Sequence, residues 1–222
     1  MDYSLPRHLS FCACGARLVF LDLARDRYFH LSAPLEAAMR AASAGGPAPA
    51  GAIARLVARG LLVSDSAVGR PVAPVAATAP RRSVVESAAT APGIAWEAAP
   101  EVAWRLALAR HDLRTRTLAG VLGRVARTKS ILQRRGGPAH QGVIERLAAR
   151  FLSAQRLTPA APVCLPDSLA LLTYLFSRGA SGDLVIAVSD PPFQAHCWVQ
   201  AGDLVLNSPL DLARSFTPIR LV

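Results

Sequence analysis

The stretch from Val163 to Ser208 limits the possible folds of this chain more than any other, because a helix, a strand and a hairpin must follow one another there. From Cys164 onward, Leu165, Leu169, Leu172, Tyr174, Leu175 and Phe176 give a helix that is apolar on nearly every side, the pattern of a helix enclosed in a core. Arg178-Gly179 ends it. Asp183 to Val188 is a β-branched run that reads as a strand, and Ser189-Asp190-Pro191-Pro192 is a turn that cannot continue it. Ala195 to Gln200 then alternates and Leu204 to Asn207 answers it, with Ala201-Gly202-Asp203 as the turn of a hairpin. Helix, strand and hairpin in that order describe an α+β domain.

One cysteine opens the helix, in Val163-Cys164-Leu165-Pro166-Asp167-Ser168, and a histidine stands 32 residues later on the first hairpin strand, in Phe193-Gln194-Ala195-His196-Cys197-Trp198-Val199. A thiol is a useful nucleophile only as thiolate, and a helix amino end and a nearby imidazole both lower its pKa. The pair points to covalent acyl chemistry. An imidazole base must also be oriented and held in one tautomer, and the second hairpin strand supplies the group for that. Asn207 is the first candidate, with its neighbour Ser208 opposite His196 in another register. Cys197 adjoins the base but faces the other side of the strand, because side chains alternate, and reads as core. A basic phosphate-binding loop of the form Gly-x-x-x-x-Gly-Lys-Ser/Thr does not occur.

Nucleophile on a helix, base on a strand and orienting group on the next strand resemble the papain-like and transglutaminase-like cysteine enzymes, and more narrowly the B protein family of lasso-peptide biosynthesis. The residues that carry the resemblance are Cys164 to Leu171, Arg178-Gly179, Leu184 to Val188, Pro192 to Val199 and Leu206-Asn207. That family places an aspartate after the asparagine to complete a Cys-His-Asp triad, and here the place is taken by Ser208. The third member is therefore open among Asn207, Ser208, Asp203 and Asp211. The resemblance implies a cysteine peptidase with Cys164, His196 and Asn207 as catalytic residues. It cuts the leader from a ribosomally made precursor peptide and frees the core peptide for an asparagine-synthetase-like lasso cyclase, its implied partner. The resemblance also associates that proteolysis with ATP, while the residues of this chain offer no intrinsic cofactor site.

Length and composition are compatible with this. The 222 residues are 52% hydrophobic and 18% charged, enough for sizeable cores in one large or two small domains. No apolar run approaches a membrane span, and Met1-Asp2-Tyr3-Ser4-Leu5-Pro6-Arg7 lacks the basic-then-apolar pattern of an export signal, so a cytoplasmic protein without a membrane partner is expected. Four cysteines do not form a disulfide framework, and His8, Cys12, Cys14 and His30 have poor zinc spacing, so no metal is expected. The formal charge is +10, and 24 of the 25 basic residues are arginine. Basic helices between Arg105 and Arg156 suit an acidic partner. The aromatic-interleaved basic strands of nucleic-acid binders are missing, and no nucleic-acid partner is expected.

A Pro- and Ala-rich stretch, Ser66 to Pro80, divides the chain. The expected organisation is a recognition module over 1–66, a linker over 67–93 and the cysteine protease domain over 94–222. In the first part, Ala16 to Leu23 and Tyr28 to Leu31 form a hairpin around Ala24-Arg25-Asp26-Arg27. Ser32 caps a helix with Pro34 and Glu36 in its first turn, and a second helix runs from about Pro49 to Arg59 and ends at Gly60. This small winged-helix-like module resembles the PqqD-type peptide-recognition element. Such a sheet edge can take an extended peptide as a further strand. The expected leader contacts are Arg27, Tyr28, Phe29, His30 and Leu31 with Ile53, Leu56 and Val57.

Three amphipathic helices, Ala99 to His111, Arg116 to Leu132 and Val143 to Ser153, are expected to complete the second domain, with Gly136-Gly137-Pro138 between the last two. Two other functions compete: a non-catalytic peptide-binding scaffold, for which Ser208 argues, and a nucleic-acid-binding regulator, for which the basic helices argue.

Overall fold

A computed structural model describes residues 3–64, 69–87, 93–135, 139–159 and 161–222. The Gly136-Gly137-Pro138 break lies outside the described residues, as do 67–68 and 88–92 of the expected linker. Spatial proximity divides the chain into two units. One comprises Met1–Ala76 with Val188–Gln194 and Thr217–Arg220, and the other Ala77–Ala187 with Ala195–Phe216 and Leu221–Val222.

The first unit contains an antiparallel sheet of β1 (Leu9–Cys14), β2 (Arg17–Asp22) and β3 (Arg27–Phe29), in that order. Three strands therefore replace the expected hairpin. Strand β1 escapes a sequence reading because its residues Leu9-Ser10-Phe11-Cys12-Ala13-Cys14 are almost all buried and do not alternate. Cys14 pairs with Arg17, so Gly15-Ala16 is a two-residue turn, with Gly15 at the positive φ of 54° that such a turn requires. At the other hairpin the buried Asp22 carboxylate accepts the N–H groups of Ala24 and Arg25 and closes the loop.

Helix α1 (Ala33–Ser43) starts after Ser32, and Glu36 does more there than complement the helix dipole. Its carboxylate accepts the Leu18 N–H at 2.9 Å and the Arg40 guanidinium at 2.7 Å, tying α1 to β2. Helix α2 (Ala50–Ala58) ends at Gly60, where the Leu61 N–H reaches back to the Leu56 carbonyl. Leu35, Met39, Ile53 and Leu56 fill one core with Phe11, Phe20 and Leu31.

The second unit places α7 (Cys164–Phe176) among α4 (Ala99–Thr115), α5 (Leu118–Arg135) and α6 (Gln141–Gln155). The apolar circumference read from the sequence has this cause, since Leu169, Leu171, Leu172, Tyr174 and Leu175 are all buried. Its carboxyl end is held by Arg178, which stacks on Tyr174 at 3.6 Å and pairs with Glu101 of α4 at 2.7 Å. Arg178 and Arg105 together lower the Glu101 carboxyl pKa to about 2.

A five-stranded sheet runs in the order β4-β7-β6-β5-β8, where β4 is Arg82–Ser83, β5 Asp183–Ser189, β6 Gln194–Ala201, β7 Leu204–Val205 and β8 Thr217–Leu221. In the hairpin, Ala201 pairs with Leu204, which makes Gly202-Asp203 the turn, one residue shorter than expected. Gly202 has φ 61°, the backbone geometry that permits so tight a turn. Strand β4 and helix α3 (Val84–Ser87) lie within the stretch expected to be an extended linker. Strand β4 pairs parallel to β7, the Ser83 hydroxyl donates to the Ser208 carbonyl at 2.7 Å, and Val84 is fully buried. The Pro- and Ala-rich composition that suggests a linker stops short of this segment. Helix α8 (Leu210–Arg214) precedes β8. Among the described residues no helix is long and apolar enough to cross a membrane.

Ser83→Ala removes the donor to Ser208 and the acceptor for the Val85 N–H, and it should destabilise the protein by about 1–2 kcal/mol in urea unfolding. An unchanged midpoint would show that 82–87 adds nothing to the stability of the sheet.

Candidate active site

Cys164 is the first residue of α7, entered from the extended Val163. Asp167, one turn further on, is only 7% exposed and accepts the Val163 N–H at 3.1 Å, which satisfies one of the donors that a helix start leaves over. Arg110 of α4 stands 3.6 Å from the other Asp167 oxygen and donates to the Ala161 carbonyl at 3.0 Å. The segment leading into the helix is therefore pinned from two sides, and the sulfur it carries has little freedom. Burial raises the Asp167 carboxyl pKa.

The sulfur meets β6. The neighbouring Cys197 and His196 side chains and the Cys197 backbone N–H lower the pKa of the Cys164 thiol to about 4 against the opposing effect of burial. Within the ladder, Val199 and Leu206 still bond, but the Val199 N–H is taken by the Asn207 side chain at 2.7 Å because β7 has already ended. Donors two residues apart on a strand point to the same side. The Cys197 N–H therefore faces the side that β7 has vacated, and Cys164 stands there.

His196 Nε2 lies 2.9 Å from Ser208 Oγ, so this hydrogen bond does not occupy Nδ1. The ring packs beside Trp198 and Phe216, with centroids at 5.8 and 5.4 Å. Ser208 is 1% exposed and fixed through its carbonyl by Ser83. The expectation that Asn207 orients the imidazole is corrected here. Asn207 Oδ1 caps the Val199 N–H and Nδ2 donates to Ser168 Oγ at 2.9 Å, so this side chain bridges β6 and α7 rather than touching the ring. Of the other two candidates, Asp203 lies at the hairpin turn with Gln141 and Arg82, and Asp211 is exposed in α8. Asp203 is seven residues along the strand from His196, roughly 20 Å at β-strand rise.

Cys197 is buried as expected, at 4% exposure, and it is also close enough to Cys164 for each thiol to shift the pKa of the other. Alternation along the strand concealed this, since it predicts faces and not what approaches the strand from its edge. A cleft of about 580 Å³ opens on the site, and its walls include Gln155, Arg156, Cys164, Asp167, His196 and Asn207. Neither Gln155 nor Arg110 carries a sequence signal that separates it from its amphipathic helix.

Of the expected peptide contacts in the first unit, Leu31, Ile53 and Leu56 are corrected: they are core residues. Short β3 needs that apolar support beneath it. Arg27 and His30 are exposed and Tyr28, Phe29 and Val57 are partly so. Tyr28 packs on Phe193 at 5.2 Å, and His30 pairs with Asp190 at 3.5 Å.

A thiol of lowered pKa and an imidazole thus share one cleft, and a buried neutral partner, Ser208, bonds the imidazole. No curated protein and no solved structure matches this chain. The family model of the transglutaminase-like superfamily matches residues 106–221, a span that includes Cys164, His196, Asn207 and Ser208. That span is just over half of the 222 residues, and the chain belongs to the transglutaminase-like superfamily.

Proposed function

We propose that this chain is a cysteine leader peptidase of the lasso B protein type, acting in the cytoplasm on a ribosomally made precursor peptide. The observation that supports this best is that Cys164 and His196 line the same cleft, where the groups beside the thiol lower its pKa to about 4. The thiolate attacks the carbonyl at the leader/core junction. The N–H groups at the start of α7 have no partner inside the helix and carry the positive end of its dipole, so they suit the oxyanion that forms. The His196 imidazolium then protonates the departing amine, and a thioester links the leader to Cys164. Water, with His196 as base, hydrolyses that thioester and restores the thiolate.

Ser208 holds Nε2, and in this reading Nδ1 serves the sulfur. A hydroxyl supplies orientation but not the negative charge of the aspartate that the resemblance would place there. Asn207 acts as a positioning residue through Ser168.

In this reading the first unit is a PqqD-type recognition element. Strand β3 is an edge strand, and a leader adds beside it along Arg27, Tyr28, Phe29 and His30, with Val57 as an apolar neighbour. Holding the leader makes cleavage effectively intramolecular, so the cleft itself needs little affinity for the cut site. The freed core peptide passes to an asparagine-synthetase-like cyclase, a step that rests on the family resemblance. ATP belongs to this proposal only through the family resemblance.

Incubation with a precursor peptide from the same genomic neighbourhood, followed by mass spectrometry, should yield separate leader and core. Cys164→Ala and His196→Ala should abolish the cut. Processing that persists in Cys164→Ala would instead favour the scaffold reading, for which the neutral Ser208 already argues. Ser208→Ala should lower kcat/KM about tenfold, the equivalent of one lost hydrogen bond of ~1.4 kcal/mol, whereas Ser208→Asp should retain activity. Full activity of Ser208→Ala would remove Ser208 from the machinery.

A further inference from the structure

Apart from Cys164 and His196, the cleft is lined mostly by neutral side chains, among them Val85, Leu152, Thr158 and Pro162. Two residues bring further charge to it, and they differ in what holds them. Asp167 is turned inward: it is 7% exposed, accepts the Val163 N–H and stands 3.6 Å from the Arg110 guanidinium. Its charge is committed to the segment that leads into α7. Arg156 stands just past the carboxyl end of α6 and is exposed on the cleft wall. Among the described residues its guanidinium makes neither an ion pair nor a hydrogen bond.

Other arginines of this unit show what a structural role looks like. Arg150, on the same helix, pairs with Glu97 at 3.1 Å, Arg178 pairs with Glu101 at 2.7 Å, and Arg110 holds the Ala161 carbonyl. A cation at a helix carboxyl end offsets the helix dipole, which accounts for a basic residue at 156 but not for a free guanidinium on the wall of a reaction cleft. The planar fork of N–H donors that a guanidinium presents matches a carboxylate, which can accept two of them at once.

We infer that Arg156 is a specificity-determining residue of the cleft, reading a carboxylate, the side chain of an aspartate or glutamate, that the substrate carries near the bond to be cut. That the carboxylate sits on a peptide rests on the leader-peptidase reading; that the cleft favours an anion does not. The Debye length at physiological salt is about 8 Å, comparable to the width of a cleft of about 580 Å³, so a charge on one wall is felt across it. The apolar side chains of Val85, Leu152 and Pro162 keep part of that field out of water. The guanidinium holds its partner before and during the reaction alike, so its effect falls on KM rather than on kcat.

Two alkylating reagents read the cation without any peptide. Iodoacetate is an anion and iodoacetamide is neutral, and the ratio of their rates at Cys164 in the full chain, followed by mass spectrometry, cancels the thiolate fraction. At low salt the ratio should fall about threefold in Arg156→Gln and be largely kept in Arg156→Lys, and the difference between wild type and Arg156→Gln should vanish in about 0.5 M NaCl. Equal ratios in wild type and Arg156→Gln at low salt would overturn the inference. A ratio in Arg156→Lys as low as in Arg156→Gln would trace the loss to shape rather than charge and overturn it too. The second arm uses a precursor peptide from the same genomic neighbourhood, with the acidic residues nearest its cut changed to their amides. KM should rise severalfold for the wild-type chain and stay level for Arg156→Gln. A precursor with no acidic residue near its cut, or equal KM for its acidic and amide forms in wild type, would overturn the inference. Failure to cut any precursor, with a reagent ratio that still responds to Arg156, would remove the leader-peptidase reading and support the cation in the cleft.

Discussion

The structure depends on one position along β6, where β7 has ended and the Cys164 sulfur takes over the open side of the strand. A backbone N–H left there without a partner would cost roughly 1–3 kcal/mol. That N–H is among the groups that lower the Cys164 pKa, so the open edge of the strand favours the anionic form of the nucleophile. The arrangement holds only if α7 begins where it does. Asp167, Arg110 and the extended Val163 fix that start, and the Asn207 side chain fixes the distance between strand and helix by bonding Val199 on one side and Ser168 on the other.

The imidazole depends on a second layer. Ser208 is positioned by Ser83, and Ser83 by the pairing of β4 with β7, so a two-residue strand remote in sequence supports the group on the catalytic ring. Trp198 and Phe216 flank the ring and limit its rotation. A serine in this place is a weaker stabiliser of an imidazolium than a carboxylate, since it contributes a dipole and no charge. The Cys197 side chain, the His196 ring and the Cys197 N–H supply stabilisation on the sulfur side instead, lowering the thiol pKa.

Much of this was legible in the sequence because the relevant patterns are strong. A helix with no polar face must be enclosed, and α7 is enclosed. The helices over 99–115, 118–135 and 141–155 follow their apolar spacing, and the start of α7 at Cys164 and the strand bearing His196 are where the sequence puts them. What escaped has physical causes. Strand β1 hides because a strand buried on both faces does not alternate. Strand β4 hides because two residues are too few for any periodicity, and they gain their conformation from β7. Asn207 is the sequence's first candidate at the ring because it stands opposite His196 on the answering hairpin strand. The chain instead uses both ends of that amide to close the strand edge, and the ring falls to its neighbour. The contact between Cys197 and Cys164 comes from a helix end meeting a strand edge, which no one-dimensional pattern encodes.

The most direct test of the account follows alkylation of Cys164 by iodoacetamide, peptide by peptide, as the pH is lowered. Only the thiolate reacts, so the rate should stay level from neutral pH downward and fall to half at a pH of about 4. In His196→Ala the half-point should move up toward the ordinary thiol value of 9.0. A wild-type profile already centred near that ordinary value, or one that His196→Ala leaves in place, would contradict the claim that β6 holds this sulfur as an anion.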